Sequence, residues 1–234
     1  QEMIELECSV EDIIRKMASV YTESVRNIPI TVKQAIESIT LDKVVGKLVN
    51  ANRNKEMLTK CPHRIIVGDI ALVYRIRYST KMSAMVTYDI MKEQLKCSEE
   101  DLYKQAKINA STVEAKSLEQ TMLELLPDEI KEDYRQLIAE CPPQEDIIVL
   151  RTENIYGAVA MINTVVLEEI RESFGSKTVR ILPSSVHEVL VANEKMPIEE
   201  LKDMVVDVNS NELAEEDFLS DNVFIWDGEK YSVA

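Results

Sequence analysis

Apolar residues recur along the chain at two periods, and the switches between them divide it into helices and hairpins. Val10, Ile13, Ile14, Met17, Val20 and Tyr21 keep helical spacing behind Ser9. Ser9 and Asp12 resemble a capping pair, so a helix is predicted over 10–26. Ile28-Pro29-Ile30 breaks it, because the residue before a proline avoids helical geometry. Leu41, Val44, Val45, Leu48 and Val49 share one helical face and predict a second helix, capped by Thr40 and closed before Cys61-Pro62. Over 64–78 the period falls to two. Leu72, Tyr74, Ile76 and Tyr78 alternate with Val73, Arg75 and Arg77, which predicts one long strand with Gly68 as a bulge. Ser79-Thr80-Lys81 turns into a second strand over 83–88, and Asp89 stands ready to cap a short helix through Leu95. Ser98 with Asp101 and Ser117 with Gln120 mark two more helix starts, and Pro127 separates the latter helix from a charged one over Asp128–Glu140.

Pro142-Pro143 is the clearest linker signal and the expected boundary between 1–141 and 142–234, unless the two parts form one continuous domain. Beyond it the pattern predicts a strand over 147–151, a tight turn at Glu153-Asn154 and a returning strand over 156–161. Asn163 then caps a helix that reaches Phe174 and stops at Gly175. The strand at 84–88 with its cap Asp89 matches 158–162 with Asn163, which suggests a ββα pseudo-repeat. Further strands are predicted over 178–182 and 186–191 around Pro183-Ser184-Ser185, and Pro197 opens a helix to Val208. A last hairpin, 223–226 with Tyr231–Val233, turns at Asp227-Gly228. Antiparallel hairpins that feed helices give an α+β class, not a doubly wound parallel sheet.

The 234 residues are 45% hydrophobic and 29% charged, a globular composition with too little bias for a disordered chain. No apolar run reaches the roughly 18–20 residues of a membrane span; the longest, near 157–167, is interrupted by Asn163. No signal peptide is expected in the opening residues, which begin at Gln1 as those of a fragment lacking its native start would. The net charge of −15 disfavours a nucleic-acid backbone or an anionic membrane surface as partner and leaves another protein as the expected class. That charge is uneven: 17 basic and 15 acidic side chains lie at residues 1–110, 7 and 15 at 111–193, and 3 and 12 at 194–234. Lys43, Lys47, Arg53, Lys55, Lys60 and Arg64 crowd a stretch opposed only by Asp42 and Glu56. The cluster reads as a solvated face that the acidic C-terminal part complements within the fold, and an anion contact there stays open. The sequence leaves the oligomeric state undetermined.

Candidate chemistry is sparse. Cys8, Cys61, Cys97 and Cys141 are too far apart for a C-x-x-C pair, and His63 and His187 are the only histidines, so no metal site is expected. The thiols read as reduced and mostly buried. Five glycines and no G-x-G-x-x-G or G-x-x-x-x-G-K-[ST] leave no phosphate-cradling loop, and no cofactor is expected. The acidic runs Glu168-Glu169, Glu199-Glu200 and Glu215-Glu216-Asp217 read as solvent-facing, and one Trp with three Phe is thin supply for a sugar cleft. Asp207-Val208-Asn209-Ser210-Asn211 lacks the sixth-place glycine and twelfth-place glutamate of a calcium loop, where Phe218 stands. Only Pro183-Ser184-Ser185-Val186-His187-Glu188 brings a hydroxyl, an imidazole and a carboxylate together. On a strand, Ser185 and His187 share one face and Glu188 the other, so Glu188 cannot orient His187 and a triad needs an acid from elsewhere. No G-x-S-x-G elbow is present, and the serines read as closing a turn. No catalytic residue is assigned; Ser184, Ser185 and His187 are the weak candidates.

Cys61-Pro62-His63, the strand at 70–76, the hairpin at 147–160, Ile181-Leu182-Pro183-Ser184-Ser185-Val186-His187-Glu188-Val189 and the tail Leu219-Ser220-Asp221-Asn222-Val223 together carry a family likeness. The chain resembles an uncharacterised family of gut Firmicutes, the domain of unknown function numbered 5688, over nearly its whole length. Members of that family typically carry a further N-terminal segment ahead of the point matching 7–25, which implies that Gln1 is an internal boundary. The region 128–141 departs from the family pattern. The resemblance implies a bacterial, cytoplasmic setting and brings no catalytic residue.

Two function classes follow. A non-enzymatic binding or regulatory module predicts an exposed apolar patch or sheet edge and no cleft gathering titratable groups. A serine hydrolase using Ser185 or Ser184 with His187 predicts a cleft at that turn, a carboxylate from a distant segment and two backbone donors beside it.

Overall fold

The computed structural model describes residues 39–79, 82–140, 146–153, 156–211 and 213–234. The predicted helix over 10–26 and the Pro142-Pro143 boundary lie outside the described residues. Two antiparallel sheets organise the remainder. The first has the order β1 (Val44–Asn50), β3 (Ile70–Arg77), β2 (His63–Val67), with β4 (Ser83–Met85) also on β3. The second has the order β10 (Tyr231–Val233), β9 (Phe224–Trp226), β7 (Val179–Leu182), β8 (Val189–Asn193), β6 (Ile147–Thr152), β5 (Val113–Ser117). β5 and β6, on either side of the expected boundary, are neighbours in this one sheet. The α+β class is correct. Among the described residues no helix is long and apolar enough to cross a membrane.

The predicted helix over Leu41–Val49 is instead β1. Thr40 precedes only a single 3-10 turn, Leu41–Lys43, which it does not cap through its side chain. In β1 every residue but Lys47 is buried, so both faces are covered. A strand buried on both sides loses its alternation, and its β-branched run then coincides with helical spacing by accident. The long strand over 64–78 folds back on itself. β2 and β3 pair antiparallel from His63↔Val73 to Val67↔Ile70, and Gly68 (φ +50°) makes the two-residue turn with Asp69 that a side chain would strain. The irregularity of that pair lies between Ile65 and Val67, not at Gly68.

The third correction is the returning strand over 156–161. Gly157–Ile162 is a 3-10 helix with all six residues buried. It packs against β1, β6 and β8. A short wholly apolar run carries no period to tell strand from buried helix. The second hairpin of the ββα match therefore does not form, and the pseudo-repeat has no structural counterpart there. The strand over 83–88 ends at Met85, and Ile90–Leu95 is π-helical. The Thr87 hydroxyl, not Asp89, accepts the Ile90 N–H at 3.3 Å.

Elements with local signals form as expected. Ser98 and Asp101 make a reciprocal capping box on α2 (Glu99–Asn109). The Ser117 hydroxyl accepts Gln120 N–H at the start of α3 (Leu118–Leu125), which follows α1 (Lys55–Leu58) and α2 and precedes α4 (Asp128–Glu140). Asn163 caps α5 (Thr164–Ser173), and Gly175 (φ +60°) follows its C-terminus. α6 (Ile198–Asn211) lays Leu201 and Val205 against Ile147, Leu182 and Ala192 of the second sheet and Val223 just ahead of β9. α1 closes the first sheet through Leu58, with Cys61, on Val49, Ala71 and Val73.

Candidate functional site

The side chains that converge come from β1, the turn after it and the acidic C-terminal part. Lys47 is the one polar position on the β1 face that also carries Val45 and Val49. The Asn109 side-chain amide fixes the start of the strand by donating to the carbonyls of Asp42 and Val44 at 2.8 and 2.7 Å. Its end is fixed by buried Asn50, which donates to Asp69 (2.8 Å) and to the Leu219 carbonyl (2.7 Å) and accepts Arg53 N–H (3.0 Å). Asp69 in turn accepts from Ser220 and Asn222 at 2.6 and 3.2 Å. This polar junction brings the C-terminal tail beside β1. Phe218 then lies under the Arg53 guanidinium, 3.5 Å from its centroid, and the 3-10 turn Glu215–Asp217 follows the same path.

The result is a cleft of about 350 Å³ lined by the cations Lys47 and Arg53, the Asn54 amide, the carboxylates Glu215 and Glu216, and the apolar side chains of Val49, Val186 and Phe218; Arg53, Glu215 and Glu216 are exposed at its mouth. The Lys47 ammonium lies 4.5 Å from the Tyr156 ring centroid, with Arg75 near the same ring at 5.4 Å. Burial, with the Arg75 charge adding to it, pushes the Lys47 amine below its ordinary range, and Tyr156, then Asp217 and Glu216, pull it part of the way back. Among the described residues no carboxylate lies within 4.0 Å of the Lys47 or Arg53 cation, nor a cation within that distance of Glu215 or Glu216.

The rest of the basic cluster goes elsewhere. Arg64 pairs with Glu99 and Glu100 at 2.7 and 2.6 Å and stacks on Tyr103, while Lys60 pairs with Glu56 on the surface. Arg64 holds the Glu100 carboxyl below its usual range. The Cys61-Pro62-His63 fragment is structural: the buried thiol donates to the Met57 carbonyl at 3.4 Å, and His63 Nδ1 lies 3.0 Å from the Cys61 carbonyl.

The hydroxyls of the serine turn are both engaged with backbone. Ser184 Oγ donates to the Glu188 carbonyl at 3.2 Å, and buried Ser185 Oγ accepts His187 N–H at 3.0 Å. Neither serine hydroxyl is hydrogen-bonded to the His187 ring among the described residues. A distant carboxylate does reach that ring: Asp217 Oδ1 is 3.2 Å from His187 Nε2. The same turns are joined by Val186 N–H on the Asp217 carbonyl at 3.0 Å. Ser184 faces a different, apolar crevice with Leu182, Leu190, Met204 and Val208.

A family model described as a family of unknown function, DUF5688, matches residues 1–228. The chain belongs to that family. No curated protein and no solved structure matches it significantly. In this DUF5688 chain the stretch around His187 and the tail 219–223 meet at one place, the cleft and the junction beneath it. Sequence reasoning named Lys47 within the basic cluster but missed Phe218 and Tyr156 as its neighbours; Glu215 and Glu216 are solvent-facing, as expected, while Asp217 is half-buried. The available signal was a lone lysine inside a β-branched run, where a half-buried charge calls for a counterpart.

Proposed function

We propose that this DUF5688 protein is a non-enzymatic binding or regulatory module that holds its ligand in the cleft between Lys47 and the acidic turn. The observation that carries the reading is the half-buried Lys47 ammonium, aimed into a small-molecule-sized cleft without a carboxylate in pairing distance among the described residues. A charge taken partly out of water in this way gains most from a ligand group of opposite sign. The binding reading expected no cleft with titratable groups; in this form it places the site in one, and it does not depend on an exposed apolar patch. A cytoplasmic setting goes with it, supported by Cys61 and Cys97, which are free thiols.

The second reading, a serine hydrolase using Ser185 or Ser184 with His187, draws support from the Asp217–His187 contact. The two serines weigh against it, since a nucleophile must hand its proton to its base: Ser184 gives its proton to the Glu188 carbonyl, and Ser185 is placed on the His187 backbone N–H and not on its ring. Treatment of the folded protein with a fluorophosphonate probe separates the readings. No labelling is expected, and covalent labelling of Ser184 or Ser185 would overturn the non-enzymatic reading.

A further inference from the structure

We infer that the ligand is a small zwitterion carrying a carboxylate and an ammonium, of the free amino acid or dipeptide class. This rests on the binding reading above and names the chemistry of its ligand. The cleft carries both signs of charge. Lys47 and Arg53 line it as cations with the Asn54 amide beside them, Glu215 and Glu216 as anions, and Val49, Val186 and Phe218 supply apolar wall.

The two signs do not neutralise each other directly. No ion pair within 4.0 Å joins these four residues to each other or to any other described residue, although pairs such as Arg64–Glu99 and Lys116–Glu124, both at 2.7 Å, form elsewhere. Cations and carboxylates that line one cleft without pairing are what a ligand with both charges bridges: its carboxylate takes the Lys47 and Arg53 N–H groups, and its ammonium donates to Glu215 and Glu216. Stacking on Phe218 holds the Arg53 guanidinium flat and leaves its in-plane N–H groups for an acceptor. A purely anionic ligand would meet the two glutamates and a purely cationic one the two basic residues, so each set of charges rejects what the other attracts. The cleft's volume of about 350 Å³ sits at the small end of ligand sites, which suits one or two amino-acid residues with a small apolar side chain against Val49 and Val186.

Isothermal titration with L-alanine, L-alanyl-L-alanine, N-acetyl-alanyl-alanine, alanyl-alanine amide and inorganic phosphate tests the inference. Alanine or the free dipeptide is expected to bind, and whichever binds more tightly identifies the source. Acetylating the amine or amidating the carboxylate should each weaken binding about tenfold or more. Lys47→Met and Glu216→Gln should weaken the zwitterion by a similar factor, while Lys60→Met on the exposed surface leaves it unchanged; thermal melts establish that each variant is folded. Equal binding of the blocked dipeptides, binding of phosphate alone, or no binding of alanine or dipeptide at millimolar concentration would overturn the zwitterion assignment. Each of those outcomes is independent of the fluorophosphonate result, which alone bears on the non-enzymatic reading.

Discussion

Gly157→Ala should unfold the site's supporting layer far more than its one added methyl suggests. A Cβ at Gly157 would stand 2.1 Å from the His187 carbonyl oxygen, with Arg151 Cβ at 3.0 Å and the Thr152 carbonyl at 3.1 Å. The nearest atom is backbone, so no rotamer change relieves the clash, and the 183–188 turn must move by more than an ångström. That turn is tied down by Val186 N–H on Asp217 (3.0 Å), Ser185 N–H on Glu188 (3.3 Å) and Ala158 N–H on the Val186 carbonyl (3.2 Å). Overpacking costs about 1–3 kcal/mol and each displaced hydrogen bond about 1 kcal/mol, so a loss of about 3 kcal/mol is expected. For a domain of this size that lowers the midpoint of thermal unfolding by about 6–12 °C. Gly175→Ala is the control. Gly175 has φ +60° and open space around its Cβ position, so only the left-handed conformation is penalised, by about 1–2 kcal/mol. Scanning calorimetry of both variants measures the difference. A Gly157→Ala midpoint within about 2 °C of the parent, or one no lower than that of Gly175→Ala, would refute the close-approach argument.

Two further expectations concern the layer beneath the cleft and the buried phenols. Asp69→Ala removes the acceptor shared by Asn50, Ser220 and Asn222, two of which are buried, and should cost about 2–4 kcal/mol in urea unfolding; a change under about 0.5 kcal/mol would show that the junction is not stabilising. Burial holds the phenols of Tyr74 and Tyr231 above the ordinary tyrosine range, with the Glu99 carboxylate hydrogen-bonded to Tyr74 adding to the first. The folded state therefore keeps protons that the unfolded chain releases above about pH 10, so stability is retained below that pH and falls as pH rises beyond it. Urea midpoints taken from about pH 9 to about pH 11 should show the decline, and Tyr74→Phe should flatten it; an unchanged slope in that variant would count against the assignment.

The basic cluster between Lys43 and Arg64 has a mixed fate that charge counting alone does not resolve. Arg64 and Lys60 pair with Glu99, Glu100 and Glu56, which lie in the first 110 residues and not in the acidic C-terminal part expected to complement the cluster. Lys47 and Arg53 share one cleft with Glu215 and Glu216 of the acidic C-terminal part without an ion pair among them. The strand period of 64–78 says which residues are extended but not that the chain reverses at Gly68-Asp69, and Lys47 could be read as solvent-facing only while its segment was taken for a helix.

The elements legible from the amino-acid sequence are those whose decisive partners lie within a few residues. Ser98 and Asp101, Ser117 and Gln120, Asn163 and Val166, and the Asp227-Gly228 turn each satisfy backbone groups at short range, so residue type and spacing suffice to place them. β1 and the 3-10 helix over Gly157–Ile162 were decided only by tertiary structure. Both are buried on every side, and uniform burial erases the periodicity that distinguishes one backbone geometry from another. The cleft belongs to the same class. It joins β1 to a turn some 170 positions later through Asn50 on the Leu219 carbonyl. A hydrogen bond of that sequence separation forms only when the whole fold brings its ends together.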